Sequence, residues 1–280
     1  MSASFVNWAG NQRCTPARRV VPAGEAEVQA AVRDATRAGQ GVRVVATGHS
    51  FSPVHLTGGT LIDVANLAGI TLVDAAARRV RALPGTAVGA FGDRLWEQGL
   101  ALANQGDIDT QGIGGAIGTA THGSGAGLQS FSASLRSCRL VDARGDVVVI
   151  DGSAPDLLAA AQVSIGMLGV MTEVEIEVVP RYRLAQRIEE WTFDRLLDEW
   201  DERIARHRHF SCFWCPAPES GALYGLDVGG AAVGQDMVWV KTLDEAGDDL
   251  PDEPERVDRS YRLYPIGPFE PNFHELEYYV

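Results

Sequence analysis

Lysine is almost absent from this sequence: Lys241 stands alone against 23 arginines, a bias of base composition more than of function. No run of about 18 apolar residues occurs, so no transmembrane segment is expected. The opening Met-Ser-Ala-Ser-Phe-Val-Asn-Trp has neither a basic region nor an apolar stretch, and no signal peptide is expected. Cysteine is scarce and scattered, at Cys14, Cys138, Cys212 and Cys215, which predicts free thiols in a reducing, cytoplasmic setting. Several motifs are missing as well. Ser50, Ser52, Ser124 and Ser130 lie in no Gly-x-Ser-x-Gly elbow, which excludes a serine hydrolase of that type. Cys212-Phe-Trp-Cys215 has no second pair, and on a strand its two thiols point to different faces, so no metal site is expected.

Charge is present but uneven. Residues 1–182 hold 14 basic and 16 acidic side chains, whereas residues 183–280 hold 10 and 21. The break predicts a domain boundary near Pro180. An acidic second part would repel phosphates, which argues against nucleic acid as a partner.

Two glycine-rich stretches carry the chemistry. In the first, the apolar run 42–46 stops at Thr47-Gly48 and is followed by His49, Ser50, Phe51, Ser52 and Pro53. Such a turn lets backbone N–H groups and hydroxyls converge on an anion, with a histidine beside it. The second runs from Gly112 to Gly127. It is not a dinucleotide fingerprint, because Gly112 and Gly114 would need a glycine where Ile117 stands.

Taken in order, Gly48-His49-Ser50-Phe51, Asn104-Gln-Gly-Asp-Ile-Asp109 and Gly118-Thr-Ala-Thr-His-Gly-Ser-Gly125 resemble the flavin domain of the vanillyl-alcohol-oxidase superfamily. Within it the sequence is most similar to the sugar-1,4-lactone oxidases and dehydrogenases of the gulonolactone and arabinonolactone type, with alditol oxidases next. Asn7-Trp-Ala-Gly10, the segment 164–171 and Phe273-His-Glu-Leu-Glu-Tyr278 fit the same group. The resemblance implies an α+β fold. A two-subdomain PCMH-type FAD-binding domain over residues 12–182 would precede a partial antiparallel-sheet substrate or cap domain over 183–280.

It also implies FAD as cofactor and oxidation of a CH–OH group in a sugar lactone or polyol, with oxygen or another electron acceptor. In that family the histidine after the glycine often carries FAD covalently through the flavin 8α-methyl, and His49 holds that position. A neutral imidazole nitrogen has the nucleophilicity for such a bond. The other reading is that His49 only hydrogen-bonds and FAD is held non-covalently. Thr47, Gly48, His49, Ser50, Phe51 and Ser52, with Thr119, Ala120, Thr121 and His122, are implied at the FAD phosphates. His122 fits equally a histidine pinned inside the turn. Gly112, Gly115 and the backbone at Val170 would pack against the cofactor. Asp107 is implied near the reactive face of the flavin, where it would bind a substrate hydroxyl or cap the following turn.

Periodicity places helices at 25–38, 88–98, 115–121, 154–163 and 193–207. The N-terminus of the third would face the phosphates. Strands are expected at 42–46, 60–64, 79–83, 135–142, 146–151, 170–180, 209–215, 222–228 and 237–242, and a mobile acidic loop at 244–258. In the resembling enzymes the strand at 273–278 lies mid-protein. A Glu-x-Arg strand and a His-Trp-x-Lys-like motif should follow it, and neither occurs in this sequence. The catalytic base is therefore expected outside these residues, on a further segment or on a partner chain.

Overall fold

The computed structural model describes residues 4–216 and 237–246, with the backbone alone of 186, 188, 261–263 and 273–275. The chain divides into two compact units. The first comprises residues 1–105, 110–122 and 129–180; the second comprises 106–109, 123–128 and 181–280. Helices and largely antiparallel sheets mix throughout, as the α+β expectation has it. Among the described residues no helix is long and apolar enough to cross a membrane.

The first unit is built on two main sheets. One has three parallel strands, in the order Arg18–Val20, Thr60–Asp63, Val42–Val45. Helix Glu25–Arg37 crosses between the outer two, with Val28, Ala31, Val32 and Ala35 on its buried face. This spacing of apolar residues is what made the helix legible. The parallel arrangement was not anticipated. The other sheet has five antiparallel strands, ordered Val147–Ile150, Leu135–Val141, Val170–Glu177, Arg79–Ala82, Ile70–Asp74. The expected hairpin turns at Gly145, whose φ of +82° suits glycine.

Glu25 joins the helix to the antiparallel sheet through Arg139 at 2.8 Å and the Thr172 hydroxyl at 2.7 Å. The Arg139 hydrogen bond leads in holding the Glu25 carboxyl below its ordinary pKa. Phe91, Ile113, Ile117, Leu135 and Ile176 form the larger core; Val28, Ile62, Val64, Val141 and Val170 form a second. A short N-terminal hairpin, Phe5–Val6 with Arg13–Cys14, is anchored by Phe5 against Val45 and Leu61.

The second unit holds a sheet ordered Leu184–Thr192, Met237–Glu245, His209–Cys215. Helix Phe193–Arg206 covers one face, burying Trp191, Leu196, Val238 and Val240. Thr192 caps it by accepting from Arg195 N–H, and Arg195 and Arg203 both grip Glu199. Asp244 and Glu245 end the central strand, opposite Ala185 and Leu184, and so are not loop residues. The rest of the expected acidic loop and the expected strand at 222–228 lie outside the described residues. All four cysteines are unpaired.

Candidate flavin site

The parallel strand Val42–Val45 ends against the turn that carries His49. Gly48 sits at φ +68°, and a Cβ there would come within 3.1 Å of Phe5 Cζ. The imidazole is held on three sides. Its Nδ1 lies 2.8 Å from Thr47 Oγ1, its Nε2 lies 3.3 Å from Thr110 Oγ1, and its ring stacks on Trp8 with centroids 5.3 Å apart. Thr47 Oγ1 also accepts from Gly112 N–H at 3.3 Å. Withdrawal from water lowers the His49 pKa, which keeps the ring neutral at physiological pH. Among the described residues, the backbone N–H groups of Thr47, Gly48, His49 and Ser50 donate to no protein acceptor. A run of unspent N–H groups around a positive-φ glycine is an anion nest.

The second run is spent differently. Its helix is Ile113–Gly118, not 115–121. The Ile113 N–H donates to Thr86 O at 2.8 Å and the Gly114 N–H to Pro84 O at 2.9 Å. The expected phosphate-facing helix start is therefore occupied by protein carbonyls. At the other end, Ala120 N–H returns to Ile117 O and Thr121 N–H to Ala116 O. That pair of bonds is a Schellman cap, with Ala120 at φ +57° in the position glycine usually takes. The Thr119 hydroxyl donates to Gly115 O and the Thr121 hydroxyl to Gln111 Oε1. Close approach explains two of the glycines: a Cβ on Gly112 would lie 2.7 Å from that of Ala46, and one on Gly114 would lie 2.6 Å from that of Pro84.

Gly115 and Gly118 instead face open space on the wall of a largely apolar cleft. Val44–Ala46, Pro84, Thr119, the turn 164–166, Gly169 and Met171 are among the other lining residues. Ile165, a β-branched residue at φ +51°, projects here with its N–H bonded to Gly118 O. Strain of this kind is costly and collects where ligands are gripped. Val170 itself is core; its neighbours Gly169 and Met171 reach the cleft. A bare glycine face, an apolar wall and a nest of unspent N–H groups fit a flat ring joined to a phosphate.

The structure thus links Thr47, His49 and Gly112 directly, and puts Gly115 and Thr119 in the cleft wall. Asp107 is not among them: it is exposed and its segment, 106–109, groups with the second unit. His122 is exposed at the end of a first-unit segment. Sequence reasoning missed Thr110 as a partner of His49 and gave Asn7 and Trp8 no role at the site. Their contacts with the His49 turn join residues some 40 to 60 positions apart, which no local pattern encodes.

Comparison with known proteins bears on the same segments. The FAD binding domain family matches residues 16–151, and the D-arabinono-1,4-lactone oxidase family matches 174–224. An L-gulono-1,4-lactone dehydrogenase of Mycobacterium tuberculosis is 38% identical over 216 residues, covering 77% of this chain and 50% of the relative. A D-arabinono-1,4-lactone oxidase of Eremothecium gossypii is 33% identical, covering 76% and 41%. The mouse L-gulonolactone oxidase is 29% identical, covering 80% and 51%. The chain spans about half the length of these relatives. The crystal structure of 6-hydroxy-D-nicotine oxidase from Arthrobacter nicotinovorans superposes with a TM-score of 0.70 at 20% identity, covering 89% of this chain and 56% of that one. That likeness establishes the fold. Successive segments of the chain thus match an FAD binding domain and a D-arabinono-1,4-lactone oxidase domain, and the relatives similar to about three quarters of it are sugar-1,4-lactone oxidases and dehydrogenases.

Proposed function

We propose that this chain is the flavin-carrying part of an FAD-dependent oxidoreductase that oxidises the CH–OH group of a sugar-1,4-lactone. The observation that carries the reading is the His49 turn: a neutral imidazole beside four unspent N–H groups. Bound FAD supplies the acceptor for the hydride that leaves the substrate carbon, and oxygen or another acceptor then takes the electrons.

The chain's own residues hold that group. The N–H groups of residues 47–50, with the hydroxyls of Ser50 and Ser52, take the phosphates. The bare backbone at Gly115 and Gly118 and the side chain of Thr119 line the apolar cleft that the rest of the cofactor enters. Ala120, Thr121 and His122 support this wall from the second turn. Thr47 and Thr110 orient the His49 ring, which would hold the flavin through a nitrogen bonded to the 8α-methyl carbon, the methyl losing a proton and the two electrons left on the flavin passing to oxygen or another acceptor. We assign the FAD-binding domain to residues 12–182 and the start of the substrate domain to 183–280. Asp107, exposed on the second unit, is the carboxylate available to a substrate hydroxyl. The Glu-x-Arg and His-Trp-x-Lys groups would come from a further segment or a partner chain. Four unpaired cysteines support a reducing, cytoplasmic setting.

A second reading is a flavin-binding chain that oxidises nothing alone. Acid precipitation of the expressed chain is the test. A yellow, fluorescent pellet that turns colourless in His49→Ala supports attachment. Flavin found only in the supernatant supports non-covalent binding, and flavin in neither fraction overturns the reading. Reduction of the bound flavin by a lactone, followed at its visible band, separates the enzyme from the incomplete binder; reduction by an alditol instead would point to a polyol oxidase.

A further inference from the structure

We infer that the N-terminal hairpin is a positioning clamp for the His49 turn, and that Asn7 and Trp8 are its two working contacts. The inference rests on the reading of His49 as the flavin attachment point. The hairpin precedes the segment matched by the FAD binding domain family, which begins at residue 16.

Three consecutive residues of the turn are tied to it. The Trp8 N–H donates to Gly48 O at 2.9 Å, the Trp8 ring stacks on the His49 imidazole, and Asn7 Nδ2 donates to Ser50 O at 2.9 Å. The ties matter because the peptide bond is planar and trans: a carbonyl and the following N–H point to opposite sides. Fixing the Gly48 carbonyl towards Trp8 turns the His49 N–H away from the hairpin. Fixing the Ser50 carbonyl towards Asn7 does the same for the Phe51 N–H. The hairpin therefore exposes the turn's donors while gripping its acceptors.

The clamp is itself rigid. Asn7 is 4% exposed; its Oδ1 accepts from Gln12 N–H at 2.9 Å and its Nδ2 also reaches Asn11 Oδ1 at 2.7 Å. Phe5, two residues earlier, is seated on Val45 and Leu61, so the grip is referred to the core.

The test uses the full chain with Asn7→Asp, Trp8→Leu and Trp8→Phe. Asn7→Asp keeps the acceptor for Gln12 N–H, the contact that closes the hairpin turn, and loses the donor to Ser50 O and Asn11 Oδ1. Two readouts are needed: titration of the His49 ring by NMR in flavin-free protein, assigned against His49→Ala, and the rate at which acid-stable flavin forms at saturating FAD. We expect Trp8→Leu to raise the His49 pKa towards its ordinary value. We also expect Trp8→Leu and Asn7→Asp each to slow attachment about tenfold or more, the equivalent of one lost contact of about 1.4 kcal/mol. Trp8→Phe, which keeps a stacking face, should stay near wild type. A structural role alone would lower the melting temperature and leave the ring titration unmoved. Unchanged titration and unchanged rate in Trp8→Leu and Asn7→Asp would overturn the clamp while leaving His49's own role intact. Should Trp8→Leu fail to fold, Asn7→Asp decides by the same readouts. Should the wild type form no acid-stable flavin, the attachment reading fails, and the flavin-free titration still decides the clamp.

Discussion

The turns 47–52 and 119–122 share glycine- and hydroxyl-rich surroundings and a threonine–histidine pairing, and they differ in where their hydrogen bonds go. In the first, the backbone donors of residues 47–50 are unspent and the carbonyls of Gly48 and Ser50 are gripped from behind. In the second, the donors close a helix cap and the threonine hydroxyls bond within the protein. Composition announces that a turn can bind an anion. Whether it does depends on how many N–H groups the fold has left over.

The contrast can be broken most completely at the two histidines. His49→Ala should lose essentially all acid-stable flavin, while His122→Ala should keep it, as read from pellet fluorescence. On acidification, attachment in the wild type should fall to half its rate at a pH below the 6.5 of an ordinary imidazole, because burial lowers the His49 pKa and the neutral ring is the nucleophile.

A second break lies just past the second turn, where Ser124 O meets His209 Nδ1 at 3.0 Å. His209 is 1% exposed, and burial first, then the charge of Arg208, pushes its pKa down to about 4. The unfolded chain takes up this proton before the folded one. Stability is therefore intact above pH 6.5 and falls between 6.5 and 4, by up to about 3 kcal/mol. Urea unfolding at pH 7 and 4.5 should show a smaller acid loss in His209→Gln than in the wild type.

Glycine exchanges should then act in contrary directions. Gly48→Ala forces an L-residue into φ +68° against Phe5 and should cost about 1–2 kcal/mol and weaken flavin uptake. Ala120→Gly relieves φ +57° and should gain up to about 1 kcal/mol after the added unfolded-state entropy, with uptake unchanged.

Smallest is the effect of the threonine pair. Thr47→Val strips His49 Nδ1 and Gly112 N–H of a partner and should slow attachment several-fold. Thr121→Val should cost about 1 kcal/mol of stability and leave attachment alone. Equal rates in these two variants would erase the distinction between the turns.

The sequence displayed strands with an apolar run, edge strands Val42–Val45, Val147–Ile150 and His209–Cys215 among them, and hid edge strands whose period is masked by charge or exposure. Val170–Glu177 lies inside its sheet and alternates buried and half-buried positions towards its end, so it reads as a strand. Leu184–Thr192 was not anticipated: it is an edge strand, and Arg187, Glu189 and Glu190 mask its period. Ile70–Asp74, at the edge of the five-stranded sheet, was missed for the same kind of reason, with three of its five residues exposed. Helix Ile113–Gly118 was misplaced because half of it is glycine; Thr86 and Pro84, not propensity, fix where it starts. At the site, the histidine and its glycine were legible as a local pattern. Thr110 and the hairpin's grip were not, since each depends on contacts distant along the chain.

The second unit includes two short stretches, 106–109 and 123–128, that are translated well before the rest of it. Ser124 must wait for His209, which lies 85 residues further on. At about 5–20 residues per second this is a delay on the order of 4–17 s on the ribosome. During that interval the first unit has all of its own segments up to residue 122 and two tethered loops with nowhere to dock. A gene cut at residue 180 would separate the later unit from two of its own pieces.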